Sequence, residues 1–314
     1  MRGMKHVAAA SVAAVVVGGA LASVGLGQGR WTTAAPMPEQ RTEVSAAELG
    51  GKVYVVGGFG GSQTLLEYDP ATERWTARAP LPIALHHTTA AAVGGRLYVV
   101  GGYTGDWKPV RSVFQYDPAR DRWTERAAMP TARGALAVGL VAGRIHAVGG
   151  VGPGAARSNT GAHEVYDPAG NTWQVLAALP TPRDHLAVGV VAGRLYAIGG
   201  RIDGSFAKNL DANEEYDAKA NSWRARAALP TARSGIAAAV HRGKVIVFGG
   251  EAPSGTFNQV EAYDAASDTW ARWAPMPTAR HGLGAAAAGG KIFVISGGPR
   301  PGSTYSSQNE ALSP

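Results

Sequence analysis

Residues 223–250 read WRARAALPTARSGIAAAVHRGKVIVFGG: a tryptophan, a proline seven residues on at Pro230, and a glycine pair at Gly249-Gly250 nineteen residues after that. The phrase recurs. Tryptophans stand at Trp31, Trp75, Trp123, Trp173, Trp223 and Trp270, and each is followed seven residues later by Pro38, Pro82, Pro130, Pro180, Pro230 or Pro277. The first five copies then reach Gly57-Gly58, Gly101-Gly102, Gly149-Gly150, Gly199-Gly200 and Gly249-Gly250 at the same spacing. The sixth pair, Gly297-Gly298, comes one residue late with Ser296 in the first glycine's place, and a β-bulge in KIFVISGG is the expected adjustment. Repeats of this period are supersecondary units that bury a core by stacking on one another.

Each repeat reads as four strands. A small-residue strand (SGIAAAV) turns at a glycine into an apolar strand ending in the glycine pair (KVIVFGG), a third strand ends in Tyr-Asp, and a fourth begins at Trp. Runs such as LYVV suit strands buried on both faces. The glycine pair, the Tyr-Asp seven residues before Trp and the Pro-x-x-Arg phrase together resemble the kelch repeat, over nearly everything from Trp31 to Pro314. The resemblance implies an all-β fold: a six-bladed β-propeller of four-stranded antiparallel blades around a central channel. The second copy departs from it, with Leu85, His86 and His87 where the others begin with Arg41, Arg133, Arg183, Arg233 or Arg280.

The two chain ends are incomplete in complementary ways. QNEALSP (308–314) breaks off before any tryptophan, and WTTAAPMP (31–38) has no glycine pair or Tyr-Asp before it. The N-terminal strand therefore completes the last blade, Trp31 to Pro36 lying beside Gln308 to Leu312, and the ring closes without a free sheet edge.

Composition narrows the function classes. The formal charge is +7, but the arginines recur singly among acidic residues and no basic run occurs, so nucleic acid is not an expected partner. The absence of cysteine removes disulfides, thiolate metal sites and a cysteine nucleophile. It also excludes the copper oxidases among kelch propellers, whose cofactor needs a tyrosine crosslinked to cysteine. Arg2 and Lys5 precede a weakly apolar run from Val7 to Leu26 with small residues at Ala20 and Ala22, which reads as a secretory signal over 1–22. A short linker at 23–30 and the propeller at 31–314 follow, giving an exported, periplasmic or extracellular monomer without stable membrane insertion.

No Gly-x-Ser-x-Gly, His-Glu-x-x-His or Walker loop is present. His86 and His87 are expected on opposite faces of a strand, unable to share an ion, and Asp203, Asp211 and Asn213 lack the alternation of a calcium loop. No metal and no cofactor is therefore expected. The informative signal is length: from the first glycine of each pair to the following Tyr runs 11, 15, 17, 17 and 14 residues, so variation is confined to one loop per blade. That loop shares a face of the disc with the loops entering the next blade, and binding residues favour loops on a rigid scaffold. The slots flanking it, after the Arg position and after the glycine pair, supply the candidate ligand-binding residues Phe59, His86, Tyr103, Asp184, Arg201, Glu251 and His281, expected as exposed groups around the channel mouth.

The leading expectation is a non-catalytic binding protein whose loop face takes a glycan or a protein partner. A carbohydrate enzyme of the sialic-acid mutarotase or epimerase type, with Glu251 and Arg201 as acid-base and anion-holding groups, is the alternative from the kelch resemblance. A structural envelope protein is the third reading.

Overall fold

The computed structural model describes Met1 and residues 29–59, 63–154 and 158–314. The expected signal segment and nearly all of the linker lie outside the described residues. Arg30, placed in that linker from sequence, is the first residue of the strand Arg30–Thr33.

Six four-stranded antiparallel sheets form the blades, and among the described residues there is no helix. In the fourth blade the strands Ala187–Val191, Arg194–Ile198, Asn213–Asp217 and Ser222–Ala225 run in order from the channel outward. The innermost strands of neighbouring blades touch all the way round, including Ser45–Leu49 of the first against Gly284–Ala288 of the last. Their Ala- and Gly-rich sequence follows from this geometry, because six inner strands converge on one axis and leave room only for small side chains. The second strands are buried on both faces, as their unbroken apolar runs require.

The core sits between blades. Val148 of the third packs with Leu179, Leu186, Leu195 and Tyr216 of the fourth, and the other five interfaces hold equivalent clusters. A second ring runs round the outside: each repeat tryptophan donates its indole N–H to an alanine carbonyl of the preceding blade. Trp75 reaches Ala35 (2.9 Å), Trp123 Ala79, Trp173 Ala127, Trp223 Ala177 and Trp270 Ala227 (all 2.8 Å). Trp31 completes the circle on Ala274 at 2.9 Å.

Closure is as the sequence implied. Arg30–Thr33 pairs antiparallel with Asn309–Ser313, Trp31 opposite Leu312, so the last blade is built from both ends of the chain. The bulge expected near Ser296 is absent: Gly284–Ala288 pairs with Lys291–Ile295 in the register of the other blades. Ser296 takes the place of the first glycine, with φ 62° against 64° at Gly249. Its hydroxyl donates to the Arg41 carbonyl at 2.6 Å, which offsets part of the strain of that conformation.

The repeat arginines are internal props. Arg41, Arg133, Arg183, Arg233 and Arg280 are fully buried, and Arg133 donates to the carbonyls of Gly149 and Ala162 (both 2.8 Å) and to Glu164 (2.7 Å). Arg183–Glu214, Arg233–Glu261 and Arg280–Glu310 repeat the pairing, while Arg41 turns to Glu39. The second blade exchanges both partners together: Leu85 replaces the arginine, Phe114 stands where Glu164 does, and both join one apolar cluster.

Candidate functional site at the channel mouth

Two slots in every blade meet at the mouth of the channel. The residue after the Arg position forms an antiparallel bridge with the residue after the glycine pair: Thr42 with Phe59, His86 with Tyr103, Gly134 with Val151, Asp184 with Arg201, Ser234 with Glu251 and His281 with Gly298. The glycine pair permits this close approach, since a Cβ on Gly102 would lie 3.0 Å from the His86 carbonyl oxygen and one on Gly101 would lie 2.6 Å from the Arg133 carbonyl oxygen of the next blade.

The next residue in each blade, a slot of which the sequence reading weighed only His87, lines the channel itself. Glu43, His87, Ala135, His185, Gly235 and Gly282 all have left-handed φ, between 51° and 66°. Their backbones form a hydrogen-bonded circle. His87 N donates to Glu43 O (3.3 Å), Ala135 to His87 (2.9 Å), His185 to Ala135 (3.0 Å), Gly235 to His185 (3.1 Å) and Gly282 to Gly235 (2.9 Å), while Val44 N closes on Gly282 O (3.3 Å). Glycine in two of six aligned copies was the available signal that this slot needs a positive φ. The same residues line a central cavity of about 160 Å³ with the first residues of the inner strands.

One side of the mouth is charged. Arg201 donates Nη1 to Glu251 (2.7 Å), Nε to Asp184 (3.2 Å) and Nη2 to His185 Nε2 (2.9 Å). Asp184 also bonds His185 Nδ1 and accepts from Asn159 at 2.5 Å. Glu43 lies at the centre, its Oε2 3.5 Å from His87 Nε2 and 3.9 Å from His185 Nε2, its Oε1 3.4 Å from His281 Nδ1. Burial opposes ionisation of Glu43, yet His87, His281 and His185 around it hold its carboxyl well below the usual range. Burial pushes His87 well below the ordinary histidine value, against the pull of Glu43. It acts on His281 too, but there Glu43 and Glu251 outweigh it and the imidazole is raised. Asp184 is lowered: burial alone would raise it, and His185 and Arg201 overcome that.

The other side is aromatic. Phe59 stacks on His86 with ring centroids 4.4 Å apart, His86 lies 5.5 Å from Tyr103, and Trp107 stands against Phe59, His86 and Tyr103 at 5.6, 4.7 and 5.4 Å. Trp107 comes from the variable loop of the second blade, also in left-handed conformation, and is 45% exposed.

A family model described as the KLHDC2/KLHL20/DRC7 Kelch-repeats domain matches residues 21–200 and 164–311. The chain belongs to this kelch-repeat family. A solved structure titled "Structure of YjhT" is similar to this kelch propeller with a TM-score of 0.78, covering 88% of this chain and 96% of that one. At 17% identity that likeness concerns the fold. No curated protein matches the chain.

All seven candidate residues of this kelch propeller lie around the one mouth, Asp184, Arg201, Glu251 and His281 on its charged side and Phe59, His86 and Tyr103 on its aromatic side. They are not the exposed groups expected: except for the half-buried Phe59 they are buried, because the paired slots face the axis beneath the loop tips. Arg201 has all three nitrogens engaged and is a structural cation here, where the sequence suggested an anion-holding one. The separation of His86 and His87 also fails, since the positive φ of His87 breaks strand alternation and brings the two Nδ1 atoms to 2.7 Å. Glu43, His185 and Trp107 are the residues the sequence reading missed, and His87 it weighed only as a metal ligand paired with His86.

Proposed function

We propose that the protein is an exported binding protein whose channel mouth takes a glycan. The observation that carries this reading is the division of the mouth. The exposed Trp107, backed by Phe59, His86 and Tyr103, offers an apolar face to a sugar ring, and Glu43, Glu251 and their imidazole neighbours offer acceptors and donors to its hydroxyls. Concave sites lined by aromatic rings with a few convergent polar groups are the usual form of small-ligand pockets, and Trp and Tyr combine an apolar body with a polar edge. A flat protein partner would reach Trp107 but leave the buried charges below it unused. Export rests on the segment containing Arg2, Lys5 and the run to Leu26.

Screening the purified mature protein on a glycan array, with fractionation of expressing bacteria, tests both halves. Glycan hits lost in Trp107→Ala and a product outside the cytoplasm are expected; a folded protein with no hits, or one kept in the cytoplasm, overturns the corresponding half.

A second reading is acid–base chemistry on a bound sugar of the mutarotase or epimerase type. It is favoured by the raised His281 beside the lowered Glu43, groups shifted apart within one cluster as an acid and a base require. Acceleration of anomer exchange in an array-positive reducing sugar, abolished by Glu43→Gln, is its test. Exchange at the uncatalysed rate removes it.

A further inference from the structure

We propose that Glu43, His87 and His185 form a binding site for one divalent metal ion of the zinc class, supplied by three different blades at the centre of the channel mouth. The donor atoms, Glu43 Oε2, His87 Nε2 and His185 Nε2, all lie within 4.8 Å of one another, and the two carboxylate–imidazole separations are 3.5 and 3.9 Å. Bonds of about 2.0–2.1 Å in a tetrahedral site place neighbouring ligand atoms about 3.3 Å apart, so the two carboxylate–imidazole separations need movements of well under an ångström to close on an ion. Two imidazoles and a carboxylate are a donor set suited to zinc.

The hydrogen-bond network assigns the ring protons in the sense a metal requires. His86 Nε2 lies 3.0 Å from the Thr104 carbonyl and must donate to it, so His86 Nδ1 accepts from His87 Nδ1 at 2.7 Å and His87 Nε2 keeps its lone pair. His185 Nδ1 faces the Asp184 carboxylate and carries its proton there, leaving the lone pair on Nε2. Each histidine is thus oriented by a partner on its far nitrogen, the arrangement that fixes metal-ligating imidazoles. The lone pair of His87 then faces a carboxylate oxygen of Glu43 with no proton between them, an arrangement that a cation resolves.

Two observations outside the three ligands support the site. Glu43, Asp184 and Glu251 outnumber the two basic side chains that face them, Arg201 and His281, an excess of one acidic group that favours a cation. His281 is 1% exposed, neither ring nitrogen has a hydrogen-bond partner, and its Nδ1 faces Glu43 Oε1 at 3.4 Å and Glu251 Oε2 at 3.6 Å, a buried polar group aimed into the site. Arg201 Nη2 is the competitor, since it donates to His185 Nε2 at 2.9 Å. Its other contacts, to Glu251 and Asp184, survive release of that lone pair.

The site stands independently of the glycan reading, and its test needs no sugar. The folded protein is stripped with chelator, titrated with Zn2+ or Co2+ and monitored by calorimetry, cobalt absorption and thermal melting. One equivalent bound, with a melting temperature that rises with metal concentration, is expected in the parent, and at least tenfold weaker binding in Glu43→Gln and His185→Gln. His241→Gln, on the hairpin turn of the fifth blade, should bind like the parent. Crystals of the parent grown with zinc keep the proposal testable if a variant misfolds, since an anomalous peak within about 2.2 Å of Glu43, His87 and His185 supports it directly. No binding by the folded parent, equal binding by the Glu43 and His185 variants, or a peak elsewhere overturns it.

Discussion

Glu73 occupies a slot where the other described blades with a complete Tyr-to-Trp turn carry a short side chain. Asp121, Asn171, Asn221 and Asp268 sit two residues before their tryptophans, each in left-handed conformation, and each accepts from a repeat tyrosine hydroxyl and from an alanine N–H of the preceding blade. Glu73 has the same φ, but it accepts no hydrogen bond from the Tyr68 hydroxyl. Glu73→Asn restores the acceptor and suits the backbone, so it should stabilise by about 1 kcal/mol in urea denaturation; an unchanged midpoint would show that the acceptor does not reach. A second residue-scale effect lies in the third blade, where His146 Nδ1 and His163 Nε2 are 2.9 Å apart. Burial lowers them to about 4 and about 3, with Arg144 adding to the first and His146 to the second. The unfolded histidines protonate near pH 6.5, so the contribution of this pair is complete above that value and is lost as pH falls from there through the folded values. Replacing both by Gln should flatten the loss of stability between pH 7 and 5, each histidine accounting for up to about 1.4 kcal/mol per pH unit; an unaltered slope would place the effect elsewhere. None of this was legible beforehand, because spacing reveals that a slot repeats and not which way its backbone turns. Glu43 and His185 escaped notice for the same reason, and His87 was set aside on a strand alternation that its positive φ breaks.

The elements were legible almost completely. A strand buried on both faces, a strand of small residues at the axis and a tryptophan strand outside each have a distinct composition, and six copies show the phase of all of them. The error at Ser296 came from treating glycine as obligatory where a positive φ is the requirement and a serine with a good acceptor can meet it. The two-ended blade is where an element has the largest consequence. Trp31 performs for the last blade what Trp123 performs inside the chain, an indole hydrogen bond to the preceding blade, and each packs on a neighbouring ring, Phe248 for Trp31 and Tyr116 for Trp123. Trp31→Ala should therefore cost about 3 kcal/mol, as much as Trp123→Ala, and deletion of 30–36 should prevent cooperative folding, since total stabilities are about 5–15 kcal/mol. Thermal melts of the three proteins decide it, and a Trp31 variant that melts like the parent would mean that the terminal strand is an accessory.

At the scale of the whole molecule, six similar blades fix one axis, and their differences accumulate at one end of it. Loop-length variation identified that end from the sequence, because a rigid ring leaves length free only where strands leave the sheet. The division into aromatic and charged sides was not legible, since it depends on Trp107 folding back from a variable loop over residues of another slot. The face carrying the Tyr-to-Trp turns has no such division, and Arg120 and Lys219 are exposed there. The measurement that tests the central claim most directly is calorimetric titration of an array-positive glycan into the parent, Trp107→Ala, and an Arg120→Ala/Lys219→Ala double variant. A loss of about 1–3 kcal/mol in affinity on truncating Trp107, with the opposite-face variant binding like the parent, is the expected result; equal losses from both faces, or loss from Arg120 and Lys219 alone, would contradict a ligand site at the channel mouth.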